Sequence, residues 1–487
     1  MTIKFLRKGI HLFAITAIAI TGFAAEKPLN VVFISIDDMN TDIGPYGNAQ
    51  VKTPNFDRLA EHGVVFRNAY CQQPLCGPSR ASVMTGLRPN TNGMLGNNEH
   101  FRDTVPDVVT MGQFFQKNGY YVGRVGKVYH YSNPSSIGTD GNDDAPTWQE
   151  RFNPVGIDKT QDKKVTRYGK MKGGLGISLA WWDPVSEDEE HTDGKVASHA
   201  IEMIDRNQDK PFFVAAGFFN PHCPYIAPKK YFDLYPLETI TMPDLDEAKR
   251  DLEDVPSMAI SRDSGKRWPY YFPGVSLEEA RLCKRAYYAC ISFVDAQVGR
   301  ILDALEERDL MDSTMIVLWS DHGYFLGEKG LWYKRKNFER SLLSPLIISA
   351  PGIQGSGKQC FSNVELLDLY PTIAEVTGHS VPNHLEGKSL KPLLNAPDSE
   401  WNRPAISQVL YRSGYGYSIR LGRWRYTEWN DGNNGIELYN HSNDPEEITN
   451  LAPRREYADL VKGLSAQLRP YAENQRPVGK RNRRKSP

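Results

Sequence analysis

The sequence predicts an α/β protein: a mainly parallel, doubly wound sheet followed by a smaller C-terminal antiparallel subdomain. Three observations carry this prediction. Apolar runs of strand length, such as "NVVFISI" and "PFFVAAGFF", alternate with segments whose apolar residues recur at helical spacing. The runs are continuous rather than alternating, the pattern of strands buried on both faces, as in a parallel sheet flanked by helices. From about Asn402 the texture changes to short aromatic-rich strands with glycine-containing turns. The 487 residues, 40% hydrophobic and 24% charged, suffice for a large core or two domains.

The elements follow in order. Lys4, Arg7 and Lys8 precede the apolar run Leu12 to Ala24, and Gly22-Phe23-Ala24 offers small residues for cleavage, so residues 1–24 read as a signal peptide. That run is shorter than the roughly 20 residues of a membrane span. No cysteine follows it to carry a lipid, and no other segment reads as transmembrane. The expectation is a secreted or periplasmic protein with no stable membrane span. "LNVVFISIDDMN" is a buried strand ending in Asp37 and Asp38, and "TPNFDRLAEHG" is a helix stopped by Gly63. "VTMGQFFQKNGYYVGRVGK" reads as helix, turn and strand, and "ASHAIEMIDRNQ" as a helix before the strand "PFFVAAGFF". A long amphipathic helix or helix pair runs from "LEEARLCKRAYY" onward, then come the strands "STMIVLWSDHG" and "SPLIISAPG". "AISQVLY", "YSIRLGRWRYTEW" and "GIELYN" make the small antiparallel sheet, followed by the helix "REYADLVKGLSAQLRPYAE". The boundaries so drawn are 25–395 for the main α/β domain, 396–475 for the sheet-plus-helix subdomain and 476–487 for a basic disordered tail. Residues 132–195, rich in Gly, Asp and Lys, read as a long surface excursion.

A net charge of -1 offers no global field for nucleic acid, so an anionic substrate must be held by local charge. Export permits disulfides, but six cysteines in a chain this long are not a disulfide scaffold. Cys283 and Cys290 stand about two turns apart on one helical face, too far for an easy bridge, and read as core thiols.

Two strands end in charged pairs, Asp37-Asp38 and Asp321-His322. Open α/β sheets bind ligands at this end of their strands. Carboxylates gathered there are costly unless a cation neutralises them, and a mostly oxygen donor set suits a hard ion, calcium or magnesium, more than zinc. Lys127 and His130 in "GKVYH", His222 in "NPHCPY" and Lys334 in "KGLWYK" also fall just past strand ends. With Arg80 they would form a cationic pocket around the metal, suited to a tetrahedral oxyanion such as sulfate or phosphate.

"CGPSRASVMTG" resembles the sulfatase signature, Cys-x-Pro-Ser-Arg followed by Ala-Ser-x-x-Thr-Gly, with Cys76, Pro78, Ser79, Arg80 and Gly86 all matching. "NVVFISIDDMNTDIGPYG", "TPNFDRLAEHGVVFRNAY", "GKVYH", "FFVAAGFFNPHCPY", "SDHGYFLGEKGLWYK" and "ELYNHSNDPEEITNLA" fall in that family's order. "GKVYH", "DGKVASHAIEMI" and "GLWYKRKNF" are most similar to the iduronate 2-sulfatase branch. The resemblance implies an alkaline-phosphatase-like fold. It also implies that Cys76 is oxidised by a separate maturation enzyme to formylglycine, so that it is neither a disulfide partner nor a thiol nucleophile. The implied calcium ligands are Asp37, Asp38, residue 76, Asp321 and His322, the last standing where the family often has asparagine. In the implied reaction a hydroxyl of the hydrated aldehyde attacks the ester sulfur, aided by the cation and Arg80. His222 or Lys334 protonates the leaving sugar, Lys127 and Lys334 hold sulfate oxygens, and His130 takes the proton that lets sulfate leave. Cys71 matches no role in the family.

The expected function is therefore removal of sulfate from a sulfated oligosaccharide or polysaccharide, with a 2-O-sulfated uronic acid as the branch's substrate. An algal glycan is an alternative sharing every motif quoted. A phosphate or phosphonate ester hydrolase of the same superfamily is another, although phosphatases of this fold usually carry serine or threonine and two metals. A glycan-binding protein that has lost catalysis should lack pocket residues, and none is missing. Specificity is expected in the loops 94–104 and 132–195.

Overall fold

Asn30–Asp37 (β1), buried along its whole length, lies at the centre of an eight-stranded sheet. The structure is a computed structural model describing residues 28–168, 174–260 and 275–473; the signal peptide and the basic tail read from the sequence lie outside them. The principal elements after β1 are α1 (Pro54–His62), β2 (Val64–Tyr70), α2 (Cys76–Thr85), α3 (Met111–Lys117), β3 (Tyr121–Gly126), β4 (Glu150–Phe152), α4 (Thr192–Asp205), β5 (Phe212–Pro221), α5 (Leu277–Glu306), β6 (Thr314–Ser320), β7 (Leu346–Ser349), β8 (Lys358–Glu365) and α6 (Leu369–Val376). A C-terminal group comes next: β9 (Ala405–Tyr411), β10 (Gly414–Leu421), β11 (Trp424–Trp429), β12 (Ile436–Asn440) and α7 (Ala458–Glu473).

The order across the large sheet is β8-β2-β7-β6-β1-β5-β3-β4. Every pairing is parallel except those of β7, which runs against both β2 and β6. The apolar run "SPLIISAPG" is thus a strand, as predicted, but the one of opposite direction. Continuous hydrophobicity marks burial on both faces and does not encode direction.

Alternate residues of the central strands feed two cores. Val32, Ile34 and Ile36 join Val214, Ala216, Ile316 and Leu318 under α1, α4 and α5. Val31 and Phe33 join Phe213, Ala215, Val317 and Trp319 under α2, α3 and α6. Both faces are covered, so the sheet is doubly wound as predicted. The long amphipathic segment is one helix of 30 residues, α5. It opens with a capping box in which the Ser276 hydroxyl accepts the Glu279 N–H and the Glu279 carboxylate accepts that of Ser276. Cys283 and Cys290 both face the core, and all six cysteines are buried and free. Cys71 is likewise a core thiol, its carbonyl accepting the Ser407 hydroxyl.

β9 to β12 form an antiparallel meander, backed by α7 through Leu464 and Leu468. The described part of residues 132–195 lies at the edge of the large sheet, with exposed and buried residues interspersed. β4 extends the edge of the large sheet, and the loop before it is anchored inside by Asp143, which accepts from the buried Arg124 and from Trp148 Nε1. Among the described residues no helix is long and apolar enough to cross a membrane.

The height of Lys127 above the sheet is set by one close approach. β3 and β5 come so near at their ends that the Lys127 N–H donates to the Gly217 carbonyl at 2.8 Å. A Cβ on Gly217 would lie 2.2 Å from the Lys127 carbonyl carbon. Gly217→Ala must therefore part the two strands, and it should cost about 2–3 kcal/mol in urea unfolding while lowering activity through displacement of Lys127. Wild-type stability would show that the strands can yield.

Candidate active site

The centre of the site is made by the abrupt end of β1. Asp37 is its last residue, and Asp38 turns the chain in the left-handed region at φ 62°, a conformation aspartate tolerates better than most residues. That turn is held at both ends: the Tyr287 hydroxyl donates to the Asp38 carbonyl at 2.7 Å, and the Asp38 N–H donates to Asp321 Oδ1 at 3.1 Å. Asp321 and His322 follow β6, the parallel neighbour of β1, so strand pairing alone brings the two acidic pairs side by side. Cys76 is the first residue of α2, all ten residues of which are buried. It is 1% exposed. Its Sγ lies 3.5 Å from His322 Nε2, 3.6 Å from Lys334 Nζ and 3.9 Å from Asp38 Oδ1.

Arg80, one turn further along α2, is fully buried and ties the strands together. Its Nε donates to Asp321 Oδ2 at 2.9 Å and its η2 nitrogen to Asp37 Oδ1 at 3.1 Å. The η1 nitrogen donates to the carbonyls of Lys127 and Val128 at 2.6 and 3.0 Å. The Lys127 ammonium is bonded to Asp37 Oδ2, and that of Lys334 to Asp38 Oδ1. His222 reaches in from the end of β5, its Nε2 3.7 Å from Asp38 Oδ2. His130 lies beside Lys127 with a buried Nδ1 that has no hydrogen-bond partner. The structure thus gathers the ten positions singled out in the sequence into one buried cluster.

The electrostatics follow from this crowding. Burial alone would raise the Asp37 carboxyl, but Lys127, His222, Arg80 and Lys334 outweigh it and hold the group well below the usual carboxylate range. Burial pushes the Cys76 thiol well above its ordinary value, with Asp37 and Asp321 adding to the push against Lys334, so the cysteine as encoded is no thiolate nucleophile. Burial would strip Lys334 of its proton, yet the carboxylates of Asp38, Asp37 and Asp321 keep it there. His222 is pushed down to about 4, chiefly by burial, with Asp38 pulling the other way. Its Nδ1 lies 2.7 Å from the Cys223 carbonyl, so that nitrogen carries the hydrogen and Nε2 faces the carboxylates bare.

A divalent cation fits this donor set. Asp37, Asp38, Cys76 and His222, and again Asp38, Cys76, Asp321 and His322, place ligand atoms within 4.8 Å of one another. Asp38 Oδ2 is buried without a hydrogen-bond partner, an orphaned carboxylate oxygen of the kind a cation satisfies. His322 Nδ1 is 2.9 Å from the Gly323 carbonyl, which leaves the Nε2 lone pair turned to the cluster. Three carboxylates with one imidazole is a set for a hard ion.

Some contributors escape a reading of the sequence. The Ser35 hydroxyl donates to the Lys127 carbonyl at 2.9 Å, and the Ser79 hydroxyl donates to the Asp321 carbonyl. Tyr287 belongs to α5 and reads in sequence as a core aromatic. Ser35 carries a signal, being the polar residue inside an otherwise apolar buried run. Tyr287 carries none, because its partner is a backbone carbonyl 249 residues away in sequence.

Carboxylates, histidines and cations converging at the C-terminal ends of a parallel sheet, around a residue at the head of a buried helix, define a hydrolase of the alkaline-phosphatase type. The chain belongs to the sulfatase family, whose profile, described as Sulfatase, matches residues 29–379; it is a sulfuric ester hydrolase. A second profile, described as N-sulphoglucosamine sulphohydrolase, C-terminal, matches residues 327–474. A sulfatase of Formosa agariphila is 35% identical over 454 residues, covering 91% of this chain and 86% of its own. Human iduronate 2-sulfatase is 31% identical over 529 residues, covering 90% of this chain and 93% of its own. In fold, the phosphonate monoester hydrolase of Agrobacterium radiobacter superimposes with a TM-score of 0.74 at 23% identity, over 92% of this chain and 96% of that one.

His222 makes stability depend on pH. Between its ordinary value near 6.5 and about 4, the unfolded chain binds a proton that the folded protein refuses, so stability falls as pH falls through that window and is fully present above it. In cation-free protein, His222→Gln should remove up to about 3 kcal/mol of the stability difference between pH 7 and pH 4. Parallel pH–stability curves for the two proteins would contradict the neutral assignment.

Proposed function

We propose that this sulfatase is exported and removes sulfate from a 2-O-sulfated uronic acid in a glycosaminoglycan-type oligosaccharide, using formylglycine made from Cys76 and a bound calcium ion. The observation that carries the reading is the convergence on Cys76 of Lys334, His322 and Asp38, on a signature that a formylglycine-generating enzyme would recognise. Similarity to human iduronate 2-sulfatase along most of both chains supports the substrate class. An algal glycan remains the other candidate, and hydrolysis of a defined uronate disaccharide separates the two.

Asp37, Asp38, Asp321 and His322, with the oxygen at position 76, would hold the calcium. The ion would supply charge stabilisation and the aldehyde hydrate a nucleophilic hydroxyl. The chain's own residues do the rest. Arg80 fixes the two carboxylates on either side of the nucleophile, so the donor set is organised before substrate arrives. Lys127 and Lys334 turn their ammonium groups from the carboxylates toward sulfate oxygens. Lys334 retains its proton and can pass it to the departing sugar oxygen. His222, neutral in the free site, gains basicity as the anionic ester enters beside it and is the second donor. His130 is held neutral, chiefly by burial and then by Lys127, so its unpartnered Nδ1 can accept the proton released when sulfate leaves.

Full-length protein co-produced with a formylglycine-generating enzyme should release sulfate from an unsaturated 2-O-sulfated uronate disaccharide, and Cys76→Ala should release none. Absence of release with the aldehyde confirmed by peptide mass would move the substrate to another sulfated glycan. Calorimetric titration should show one calcium site, which Asp38→Asn weakens at least about tenfold. Equal calcium binding by Asp38→Asn would remove that residue from the donor set.

A further inference from the structure

Lys334 sits in an unusual stretch of backbone. The residues on either side of it, Tyr333 and Arg335, both adopt left-handed conformations, at φ 74° and 73°. Neither is glycine, and such residues persist there only where the surroundings over-determine them. Before Lys334 the restraint is a short hairpin, Phe325–Leu326 against Trp332–Tyr333. After Lys334 it comes from the C-terminal sheet. The Tyr411 hydroxyl, at the end of β9, donates to the Arg335 carbonyl at 2.9 Å. The fully buried Lys336 donates to that same hydroxyl at 3.3 Å and lies 4.9 Å over the Tyr411 ring. The ring itself stacks on Trp429 of β11 at 5.9 Å, which fixes where the hydroxyl can point.

Three residues further on, the grip is ionic. The Glu339 carboxylate is paired with Arg425 of β11 and accepts the Tyr70 hydroxyl at 2.9 Å, while its N–H donates to Glu447 Oε2 at 2.7 Å. Arg425 also meets Glu447 at 2.6 Å, and His441 Nε2 lies 3.0 Å from the same carboxylate. Glu339, His441 and Glu447 would otherwise resemble a metal cluster, but Arg425 already occupies both carboxylates. A buried network tied by several ion pairs and hydrogen bonds is a fixed mount.

We infer that the C-terminal sheet positions Lys334, with Tyr411 as the positioning residue whose hydroxyl locks the turn behind it. The inference rests on the reading of Lys334 as a sulfate-holding group. Inorganic sulfate, titrated calorimetrically into calcium-loaded, full-length protein, reports that grip without catalysis. Tyr411→Phe keeps the packed ring and removes only the hydroxyl, so its melting temperature should stay within about 2 °C of wild type. Its sulfate affinity should fall about threefold to tenfold as the turn behind Lys334 loses the Tyr411–Arg335 hydrogen bond and loosens. Lys334→Ala should weaken sulfate about tenfold or more, and the double variant should be no weaker than Lys334→Ala alone. Wild-type sulfate affinity in Tyr411→Phe, or effects that multiply in the double variant, would overturn the positioning role and leave the sulfatase reading intact. An unchanged affinity in Lys334→Ala would overturn the reading of Lys334 as a sulfate-holding group, and the positioning role with it.

Discussion

The site hangs on one guanidinium that water does not reach. Arg80 bonds carboxylates at the ends of β1 and β6 and the carbonyls that follow β3, so a single side chain spans the strands that meet at the nucleophile position. Burying such a charge is affordable only with every donor engaged, and lysine could not replace it, having neither the planar fork nor the reach to both carboxylates. Because Arg80 and Cys76 share α2 four residues apart, the group that orders the carboxylates also sets the height at which residue 76 enters them. The acids, the nucleophile and the neighbouring strands are thereby one mechanical unit.

Charge balance adds a second constraint. Asp37, Asp38 and Asp321 face Arg80, Lys127 and Lys334, three negative groups against three positive, and His222 stands neutral among them. A divalent cation placed there would leave two positive charges uncompensated in a buried site. A sulfate ester would offset part of that excess, and free sulfate all of it. Cation and anion should then favour one another's binding, through the same lysines that otherwise fall back onto the carboxylates.

Much of this was legible because it follows from local rules. A continuous apolar run ending in Asp37-Asp38 reads as a buried strand presenting carboxylates at its end, and a second run ending in Asp321-His322 points to a shared site. The signature around Cys76 marked the nucleophile position, and Lys127, His222 and Lys334 were visible as polar groups just past strand ends. What was not legible depends on direction or on distance. The antiparallel sense of β7 leaves no mark on composition, and the tethering of the loop before β4 depends on the Arg124–Asp143 pair, whose members look like ordinary surface charges in isolation. The Tyr411 and Arg425 contacts join segments 76 and 86 residues apart, and nothing in either segment names the other.

The position of β1 has a consequence for how the chain is made. It is the first strand among the described residues, yet its neighbours are β5 and β6, which begin at residues 212 and 314. Until β5 is made this buried strand has no partner on either edge, and until β6 is made it has a partner on one edge alone; an unpaired strand of this kind is a template for aggregation. The ribosome must pass residue 314 before the first strand can be enclosed on both sides. Enclosure of the central strand is thus a late event, set by the sequence distance to its partners and not by its own composition.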